Sequence, residues 1–457
     1  MDKKNLRVYE NVLEVIGATP LIKLNKVPKD LGVSCKIYAK AEFMNPGGSI
    51  KDRTGANMLE EAEKRGDIHP GYTIVESTSG NTGIGLALAC GVRGYNSIVT
   101  IPDKMSKEKI DLLKSMGAKV IITDTSLPVE HPDSYVSIAK RLGNQPNHFY
   151  VDQYNNEDNP RTHYKTTANE LNYQMEGKID YIFIGSGTCG TITGIGKRIK
   201  ELIPTVKIVG VDPVGSQVAL PVELNKIRKA YKTEGMGQSY VPKIMDQSLV
   251  DDWVKIDDLE TLNCARDLIS KEGLLVGGSA GSIVKGALNY LIDKNLSGNN
   301  ELRCIVILPD SVRNYISKFV NDSWMVGNSF YPVSTLTDES HPFNYLTIAD
   351  IEILEPVSYY DRRMTVGDCF ELFSQGLSII PIRENSQFLG IVTKKILTVN
   401  TIKYDLTVYS SCLQCLSRDY LEVPITTSLS VIHKMIESYS SILVTERNEK
   451  NWGGYVF

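Results

Sequence analysis

Short runs of β-branched and other apolar residues recur through roughly the first 325 residues of the chain. They lie at 73–75, 98–101, 120–122, 181–184, 208–211 and 304–308. Amphipathic stretches such as 104–116 lie between several of these runs. The alternation predicts an α/β fold in which helices cover both faces of a parallel sheet. Ligands in such folds bind at the carboxyl ends of the strands, so a site is expected in the turns that follow them.

The pattern changes near residue 330. A first domain is predicted over 1–330, and the polar, turn-rich residues 331–350 predict a linker. In the remaining region, 351–457, the two segments 364–397 and 423–457 each show a helical pattern followed by two strand-like runs. Their spacing of about 60 residues predicts a weak twofold internal repeat.

Composition narrows the classes of protein to consider. A chain of 457 residues is too long for one compact core, and 42% hydrophobic with 23% charged residues is typical of globular domains. The net charge of -4 indicates no binding of nucleic acid or of an anionic membrane. No apolar run is long enough for a membrane helix, and the first residues lack the apolar core of a secretory signal. A cytoplasmic protein is expected.

The cysteines favour free thiols over disulfides. Eight are scattered along the chain, and several lie within apolar runs, as Cys304 does. Buried reduced thiols are the ordinary state of such residues in the cytosol. Cys412 and Cys415 form an isolated CxxC pair without a second pair or histidines at zinc-ligand spacing, so no metal site is predicted.

A proline and paired glycines precede Lys51 in the peptide NPGGSIKDR at 45–53. This composition predicts a tight turn followed by a helix that begins near the lysine. The helix dipole and partial burial both lower a lysine pKa from about 10.4. A neutral amine is required to form a Schiff base with a cofactor aldehyde. A solvated lysine in a surface turn explains this peptide equally well when it is taken alone.

A second motif, STSGNTG at 77–83, directly follows the strand near 72–76. Hydroxyl side chains and backbone N–H groups ahead of a helix form an anion cradle that suits the α-carboxylate of a substrate. Asn81 is placed to hydrogen-bond a phenolic ring oxygen. A polar connection between strand and helix is the alternative interpretation.

A third motif, GSGTCGT at 185–191, contains G-x-G-x-x-G, and Asp212 follows at the end of the next strand. Together they match the dinucleotide fingerprint, in which a helix N-terminus binds phosphate. A nicotinamide site is less favoured, because that fingerprint belongs to a first βα unit and this motif lies deep in the chain. It also leaves Lys51 and Asn81 unexplained.

A fourth motif, LLVGGSAGS at 274–282, places Ser279 before an apolar helical stretch. Its hydroxyl is suited to hydrogen-bond the pyridine nitrogen of pyridoxal 5'-phosphate (PLP). A neutral partner leaves that nitrogen unprotonated and the cofactor a weaker electron sink, which favours prompt β-elimination. The alternative is a helix start made of small residues chosen for packing.

The four motifs in this order resemble the fold type II PLP enzymes, specifically the cysteine synthase and cystathionine β-synthase branch, over about 8–325. The resemblance implies a tryptophan synthase β-like catalytic domain with two α/β lobes, in which Lys51 is the Schiff-base lysine and catalytic base. Ser279 is implied at the pyridine nitrogen and Asn81 at the phenolic oxygen. The substrate-carboxylate loop is implied to use Ser77, Thr78, Ser79, Asn81 and Thr82. The phosphate loop is implied to be Gly187, Thr188, Cys189, Gly190 and Thr191.

Further segments resemble cystathionine β-synthases, namely 152–154 with 159–160, 234–237 and 308–315. They imply substrate contacts at Gln153, Tyr154 and Gly235. The C-terminal repeat resembles the paired CBS (Bateman-type) module, which implies S-adenosylmethionine or another adenosyl ligand. These catalytic domains commonly pair, so a homodimer is expected. The implied reaction condenses L-serine with L-homocysteine to L-cystathionine; cysteine as first substrate would release sulfide.

The chain departs from the family pattern at several points. Cys189 replaces a glycine usual in the phosphate loop, and Gln238-Ser239 replace the usual Tyr-Asp near the entrance for the second substrate. The sequence starts about ten residues before the catalytic domain, so no haem is expected. The second CBS unit is expected to be shortened, since it stops at Phe457.

Two alternatives from other functional classes follow from these departures. A cysteine synthase that uses O-acetylserine and sulfide shares the core motifs, but such enzymes normally lack the C-terminal pair. A non-catalytic, ligand-sensing relative would account for Cys189 and the shortened module, but not for an intact Lys51 peptide.

Overall fold

The computed structural model describes residues 8–125, 127–128, 130–336, 345–350, 356–384, 387–417, 421–436, 442–448 and 451–456. The chain divides into two compact units, Met1–Val320 and Asn321–Phe457. The hydropathy pattern predicts this change later, near 330, and part of the predicted linker, 337–344, lies outside the described residues.

The first unit alternates strands and helices along its length. Its strands are β1 (Leu21–Lys23), β2 (Lys36–Ala41), β3 (Thr73–Ser77), β4 (Asn96–Pro102), β5 (Lys119–Thr123), β6 (His148–Tyr150), β7 (Tyr181–Gly185), β8 (Lys207–Pro213), β9 (Asp252–Ile256) and β10 (Arg303–Leu308). Its helices are α1 (Val27–Asp30), α2 (Lys51–Arg65), α3 (Asn81–Arg93), α4 (Lys107–Ser115), α5 (Tyr135–Gly143), α6 (Asp158–Lys165), α7 (Thr167–Gln174), α8 (Gly190–Leu202), α9 (Asp258–Glu272) and α10 (Gly278–Asp293).

The strands form two sheets, one in each lobe of the unit. The smaller sheet has the order β5-β4-β3-β6 and is parallel throughout. The larger has the order β1-β2-β10-β7-β8-β9, and only β1 runs antiparallel to its neighbour. All six apolar runs in the sequence lie within strands, which confirms the predicted parallel α/β arrangement.

Strand β10 shows why the apolar run at 304–308 is continuous. Cys304 and Val306 face a core packed against α9 and α10, whereas Ile305 and Ile307 face a second core on the other side of the sheet. A central parallel strand is buried on both faces, so it lacks the alternation of apolar and polar residues found in half-exposed strands.

Helices α2 and α3 of the smaller lobe approach each other very closely. A Cβ atom added at Gly85 would lie 2.5 Å from the carbonyl oxygen of Lys51, and one at Gly55 would lie 2.6 Å from the carbonyl carbon of Gly85. Neither glycine has a positive φ, so backbone packing accounts for both. The contact positions the first turn of α2 and therefore the Lys51 side chain.

The second unit contains two smaller sheets. It consists of α11 (Asp322–Gly327), β11 (Pro356–Val357), β12 (Tyr360–Asp361), α12 (Val366–Ser374), β13 (Ile379–Glu384), β14 (Gln387–Thr393), α13 (Lys394–Lys403), β15 (Leu421–Pro424), α14 (Leu429–Ile436), β16 (Ile442–Asn448) and β17 (Asn451–Val456). The sheet orders are β12-β13-β14 and β11-β17-β16-β15.

The order helix, strand, strand occurs twice in this unit, as α12-β13-β14 and as α14-β16-β17. This is the order that the internal repeat predicts, although residues 437–441, 449–450 and 457 of the second segment lie outside the described residues. The assignment as a CBS pair with a shortened second unit stays a prediction.

The eight cysteines are buried and free, as the sequence predicts. Among the described residues, no cluster of His, Cys, Asp and Glu could hold a metal ion. The same part of the chain has no helix that is both long and apolar enough to cross a membrane.

The contact between α2 and α3 makes a direct prediction. Gly85→Ala is expected to lower the free energy of unfolding by about 1–3 kcal/mol, because the methyl group must displace the backbone of Lys51. Gly91→Ala in the same helix is the matched control: no atom lies within 4 Å of the added Cβ, and alanine favours the helix by about 1 kcal/mol. Urea unfolding of the three proteins measures both effects, and equal stability of the two variants would contradict the packing account.

Candidate active site

Lys51 is the first residue of α2, and its side chain points into the larger lobe. Its Nζ atom lies 3.1 Å from Oγ1 of Thr188, in the loop that follows β7. Burial lowers the pKa of Lys51 to about 8, and nearby acidic groups offset this only in part. The direction agrees with the sequence prediction, and burial is the main cause. A substantial fraction of this amine is therefore neutral near physiological pH.

The turn before Lys51 is held by hydrogen bonds from its own peptide. The backbone N–H of Gly47 donates to Oδ2 of Asp52 over 2.6 Å. Asp52 is fully buried, and burial raises its pKa to about 7. One turn of α2 therefore carries both the lysine and the carboxyl that closes the turn ahead of it.

The loop after β3 brings the predicted carboxylate-binding residues to one place. The hydroxyl of Ser77 lies 2.8 Å from the Tyr150 hydroxyl, and Thr78 Oγ1 accepts from the Gly80 N–H at 3.0 Å. Thr82 donates to Gln153 Oε1 over 2.5 Å. Gln153, predicted separately as a substrate contact, thus lies against this loop.

Gln153, Ser79 and Glu76 also lie in or directly beside this loop. Gln153 Nε2 donates to the Ser77 carbonyl oxygen at 3.0 Å, and Ser79 is half-buried. Glu76, just before the loop, is fully buried. Burial raises the pKa of Glu76 well above its ordinary value and so disfavours a negative charge beneath the loop.

Both polar atoms of the Asn81 side-chain amide make hydrogen bonds. Its Nδ2 donates to Asp310 Oδ2 at 2.7 Å, and its Oδ1 accepts from Asn314 Nδ2 at 3.1 Å. The Tyr315 hydroxyl donates to the same carboxyl of Asp310. Sequence reasoning did not identify Asp310 and Asn314 as site residues, although both lie in the 308–315 segment directly after β10.

The loop 187–191, which the sequence predicts to bind phosphate, forms a cradle at the start of a helix. Helix α8 begins at Gly190, and no backbone N–H from 187 to 191 donates to a carbonyl of the described residues. A Cβ at Gly187 would lie 2.8 Å from the Gly235 carbonyl oxygen, and one at Gly190 would lie 2.0 Å from Asn159 Oδ1. The glycines thus let the backbone pack closely while its N–H groups face outward from the helix end.

Cys189 occupies a glycine-type conformation in this cradle. Its φ is +67°, in the left-handed region, and its side chain is buried. Burial raises the pKa of its thiol to about 12, so the thiol is neutral. The departure from the family pattern therefore lies at the one position of the loop where glycine is conformationally favoured.

The end of the cradle contacts a histidine that sequence reasoning missed. His163 Nε2 lies 3.2 Å from Thr191 Oγ1, and His163 Nδ1 lies 3.0 Å from Thr167 Oγ1. Burial, together with the charge of Lys51, lowers its pKa far below the ordinary value. The imidazole is neutral and acts here as a hydrogen-bonding support. No local sequence pattern marks it, because its partners Thr191 and Thr167 lie in other helices.

The remaining predicted site residues are Gly235, Ser279 and Tyr154. Gly235 has a φ of +80°, and a Cβ there would lie 4.0 Å from Asn81 Nδ2. Ser279 is buried in the first turn of α10, and its hydroxyl has no hydrogen-bond partner among the described residues. Tyr154 is buried with its ring 6.1 Å from that of Tyr240.

Comparison with known proteins identifies this arrangement. A family model described as pyridoxal-phosphate dependent enzyme matches residues 12–310. Cystathionine beta-synthase of Dictyostelium discoideum is 41% identical, over 97% of this chain and 90% of that protein. The chain belongs to the cystathionine β-synthase family of pyridoxal-phosphate dependent enzymes. Cystathionine beta-synthase of Saccharomyces cerevisiae is 40% identical over 87% of this chain and 83% of that protein.

Solved structures confirm the fold of the catalytic domain. A hydrogen sulfide-producing enzyme from Fusobacterium nucleatum matches with a TM-score of 0.62 and 37% identity, over 67% of this chain and all of that one. The O-acetylserine dependent cystathionine beta-synthase from Helicobacter pylori matches with a TM-score of 0.62 and 32% identity, over 68% of this chain and 98% of that one. The predicted fold type II class is correct.

The residues of the site fit PLP, the cofactor that the family uses. Lys51 offers a partly neutral amine, and the N–H groups of 187–191 offer donors that bond no backbone carbonyl of the described residues. The unpartnered hydroxyl of Ser279 offers a polar contact for a ring nitrogen. The role of each individual residue toward the cofactor remains a prediction.

The pKa of Lys51 predicts the pH dependence of cofactor capture. A protonated amine cannot attack an aldehyde, so capture should rise with pH and reach half its maximum near pH 8 instead of about 10.4. Cofactor-free protein mixed with PLP at different pH values and trapped with borohydride provides the measurement, by mass spectrometry of the Lys51 peptide. Lys51→Ala is the control and should give no labelling at this site. A midpoint above pH 10 would contradict the burial effect.

The conformation of Cys189 predicts a second measurable effect. Cys189→Gly is expected to raise PLP affinity severalfold, because removal of the side chain relieves the left-handed backbone and widens the cradle. Cys189→Ala keeps the Cβ and is expected to give little gain. Equilibrium titration of cofactor-free protein measures both, and equal or weaker binding by the glycine variant would count against crowding of the phosphate.

Proposed function

We propose that this protein condenses L-serine with L-homocysteine to L-cystathionine by PLP-dependent β-replacement. The observation that carries the proposal is the buried Lys51 amine, which contacts Thr188 of the 187–191 loop and is influenced by the charge of Glu76, the residue before the hydroxyl-lined loop at 77–82. The similarity to curated cystathionine beta-synthases over nearly the whole chain supports the same reaction.

Lys51 is proposed to move the proton of the substrate α-carbon. When bound, PLP supplies an electron sink that acidifies this hydrogen. Lys51 accepts the proton as general base and returns it after the thiol has added. Its pKa of about 8 suits both steps, because an amine with a pKa near the working pH can accept and release a proton readily.

The loop at 77–82 is proposed to bind the substrate carboxylate. Ser77, Thr78, Ser79, Thr82 and Gln153 are the proposed contacts, with Asn81 directed at the cofactor ring. The raised pKa of Glu76 supports this assignment, because burial disfavours a negative charge there that would repel an incoming carboxylate.

Three further roles belong to the proposal. The 187–191 loop binds the cofactor phosphate through backbone N–H groups, and Ser279 hydrogen-bonds the pyridine nitrogen. Gly235 and Tyr154 border the space for the second substrate. Gln238-Ser239 lie next to Gly235 in the chain and are the expected determinants of which thiol is accepted.

Steady-state kinetics test the proposed reaction. The PLP-loaded protein is expected to use serine plus homocysteine with a higher kcat/KM than O-acetylserine plus sulfide. Lys51→Ala is expected to lose at least about 1000-fold in rate, because the variant lacks the proposed general base. Lys36→Ala, which breaks only a surface ion pair of 3.4 Å with Glu301, is the control and should retain activity.

The alternatives predict other outcomes. Faster turnover of O-acetylserine and sulfide would replace this proposal with the cysteine synthase. Cofactor binding without turnover of either substrate pair would favour the ligand-sensing relative.

We further propose that 351–457 binds S-adenosylmethionine or another adenosyl ligand, and that the protein is a cytoplasmic homodimer. The repeated helix–strand–strand order supports the first proposal, and eight free thiols fit a reducing compartment. Family resemblance supports the dimer, which light scattering can test.

Deletion of 340–457 is expected to change basal activity and to abolish any response to S-adenosylmethionine, because coupling requires both sites. Activity of both proteins with and without the ligand measures this. An unchanged response after deletion would contradict a ligand site in this region.

A further inference from the structure

A buried ion pair lies behind the active site, outside the residues to which the proposed reaction assigns a role. Asp212 is the penultimate residue of β8 and is fully buried. Its Oδ2 accepts from Lys255 Nζ at 2.6 Å, and its Oδ1 accepts from the Ser186 hydroxyl. Ser186 directly precedes Gly187, so this carboxylate is attached to the base of the phosphate loop.

Lys255 connects the pair to a separate segment. Besides Asp212, its ammonium donates to the Ser216 carbonyl oxygen at 2.9 Å and to Asn225 Oδ1 at 3.1 Å. Three acceptors match the three hydrogens of the ammonium group. Asn225 Nδ2 in turn donates to the Ala219 carbonyl oxygen at 2.8 Å. Lys255 therefore holds both ends of the segment 216–225.

The segment 216–225 supports the residues that follow Gly235. The Gln238 N–H donates to Ser216 Oγ at 3.0 Å, and the Gln217 N–H donates to the Gln238 carbonyl oxygen at 2.8 Å. On the other side, the Gly237 N–H donates to the Ser186 carbonyl oxygen at 2.9 Å. The 235–238 loop is thus held between the two segments that Asp212 and Lys255 join.

We propose that Lys255 is a positioning residue for the second substrate. It acts through Ser216 on the backbone of Gln238, while Asp212 joins this support to the base of the phosphate loop. The inference rests on the proposed β-replacement, because it assigns the 235–238 loop to the thiol. Loss of Lys255 should weaken binding of the thiol far more than binding of serine or PLP.

The full-length protein with Lys255→Met tests this. The KM for homocysteine is expected to rise at least tenfold. The affinity for PLP, measured by titration of cofactor-free protein, should change less than threefold. The affinity for serine alone, measured from the cofactor absorbance, should change equally little. Lys207→Met is the matched control, since Lys207 forms an exposed ion pair of 3.2 Å with Asp251 beside the same sheet and should leave all three values unchanged.

A second variant separates positioning from folding. Lys255→Met leaves the buried Asp212 without its cation, which can destabilise the fold. Asp212→Asn/Lys255→Met removes both charges and should show the same selective rise in the KM for homocysteine. Parallel losses for the thiol, serine and PLP, or an unchanged KM for the thiol in the double variant, would overturn the proposal.

The outcome is distinguishable from failure of the proposed reaction. If the wild-type protein forms no cystathionine, the proposed function fails. The same comparison then uses sulfide with O-acetylserine, and a selective rise in the KM for sulfide would still support Lys255 as a positioning residue. A KM for sulfide unchanged from wild type would overturn it.

Discussion

The position of Lys51 depends on the hydrogen bonds that the buried guanidinium of Arg53 makes, two residues further along the same helix. It makes five hydrogen bonds, to the two carboxylates of Glu42 and Glu170 and to the Thr19 hydroxyl. Lys40 donates to Glu170 at 2.7 Å. Although burial opposes it, Arg53 and Lys40 lower the pKa of Glu170 to about 2, so it stays ionised at neutral pH. Removing one partner from such a network costs about 3–5 kcal/mol, because a buried charge is left uncompensated. The first turn of α2 is thereby tied to three other segments.

Burial is the largest influence on the pKa values of four other ionisable groups in the site. It raises the pKa values of Glu76 and Asp310, and it lowers those of Lys51 and His163. For Asp310 this effect exceeds the opposite influence of Lys109, Tyr315 and Asn81. The result is a site in which burial disfavours negative charge at these two acids, which suits an amino-acid carboxylate and a cofactor phosphate. Its specificity then depends on directed hydrogen bonds, such as those that orient the amide of Asn81.

Much of the fold and of the candidate site could be predicted from the chain itself. The strand at 304–308 is recognisable because a strand buried on both faces needs apolar residues at every position. Lys51, Asn81 and the 187–191 loop are recognisable because helix starts that bind anions need small residues and polar groups in a fixed local order. Asp310, Asn314 and His163 carry no such local signal, since they act on residues distant in sequence.

The sequence by itself determined the elements, the order of the motifs and the chemistry available at each one, because these depend on neighbours along the chain. Only the tertiary structure decided which motifs meet and how strongly each group is desolvated. The pKa of the Lys51 amine is lowered because the folded chain buries it, beside Thr188 of the 187–191 loop. Asp212 shows the difference most clearly. Its spacing from a glycine-rich loop matches a dinucleotide site, yet its carboxylate accepts hydrogen bonds from Lys255 in β9 and from Ser186 in the loop directly after β7.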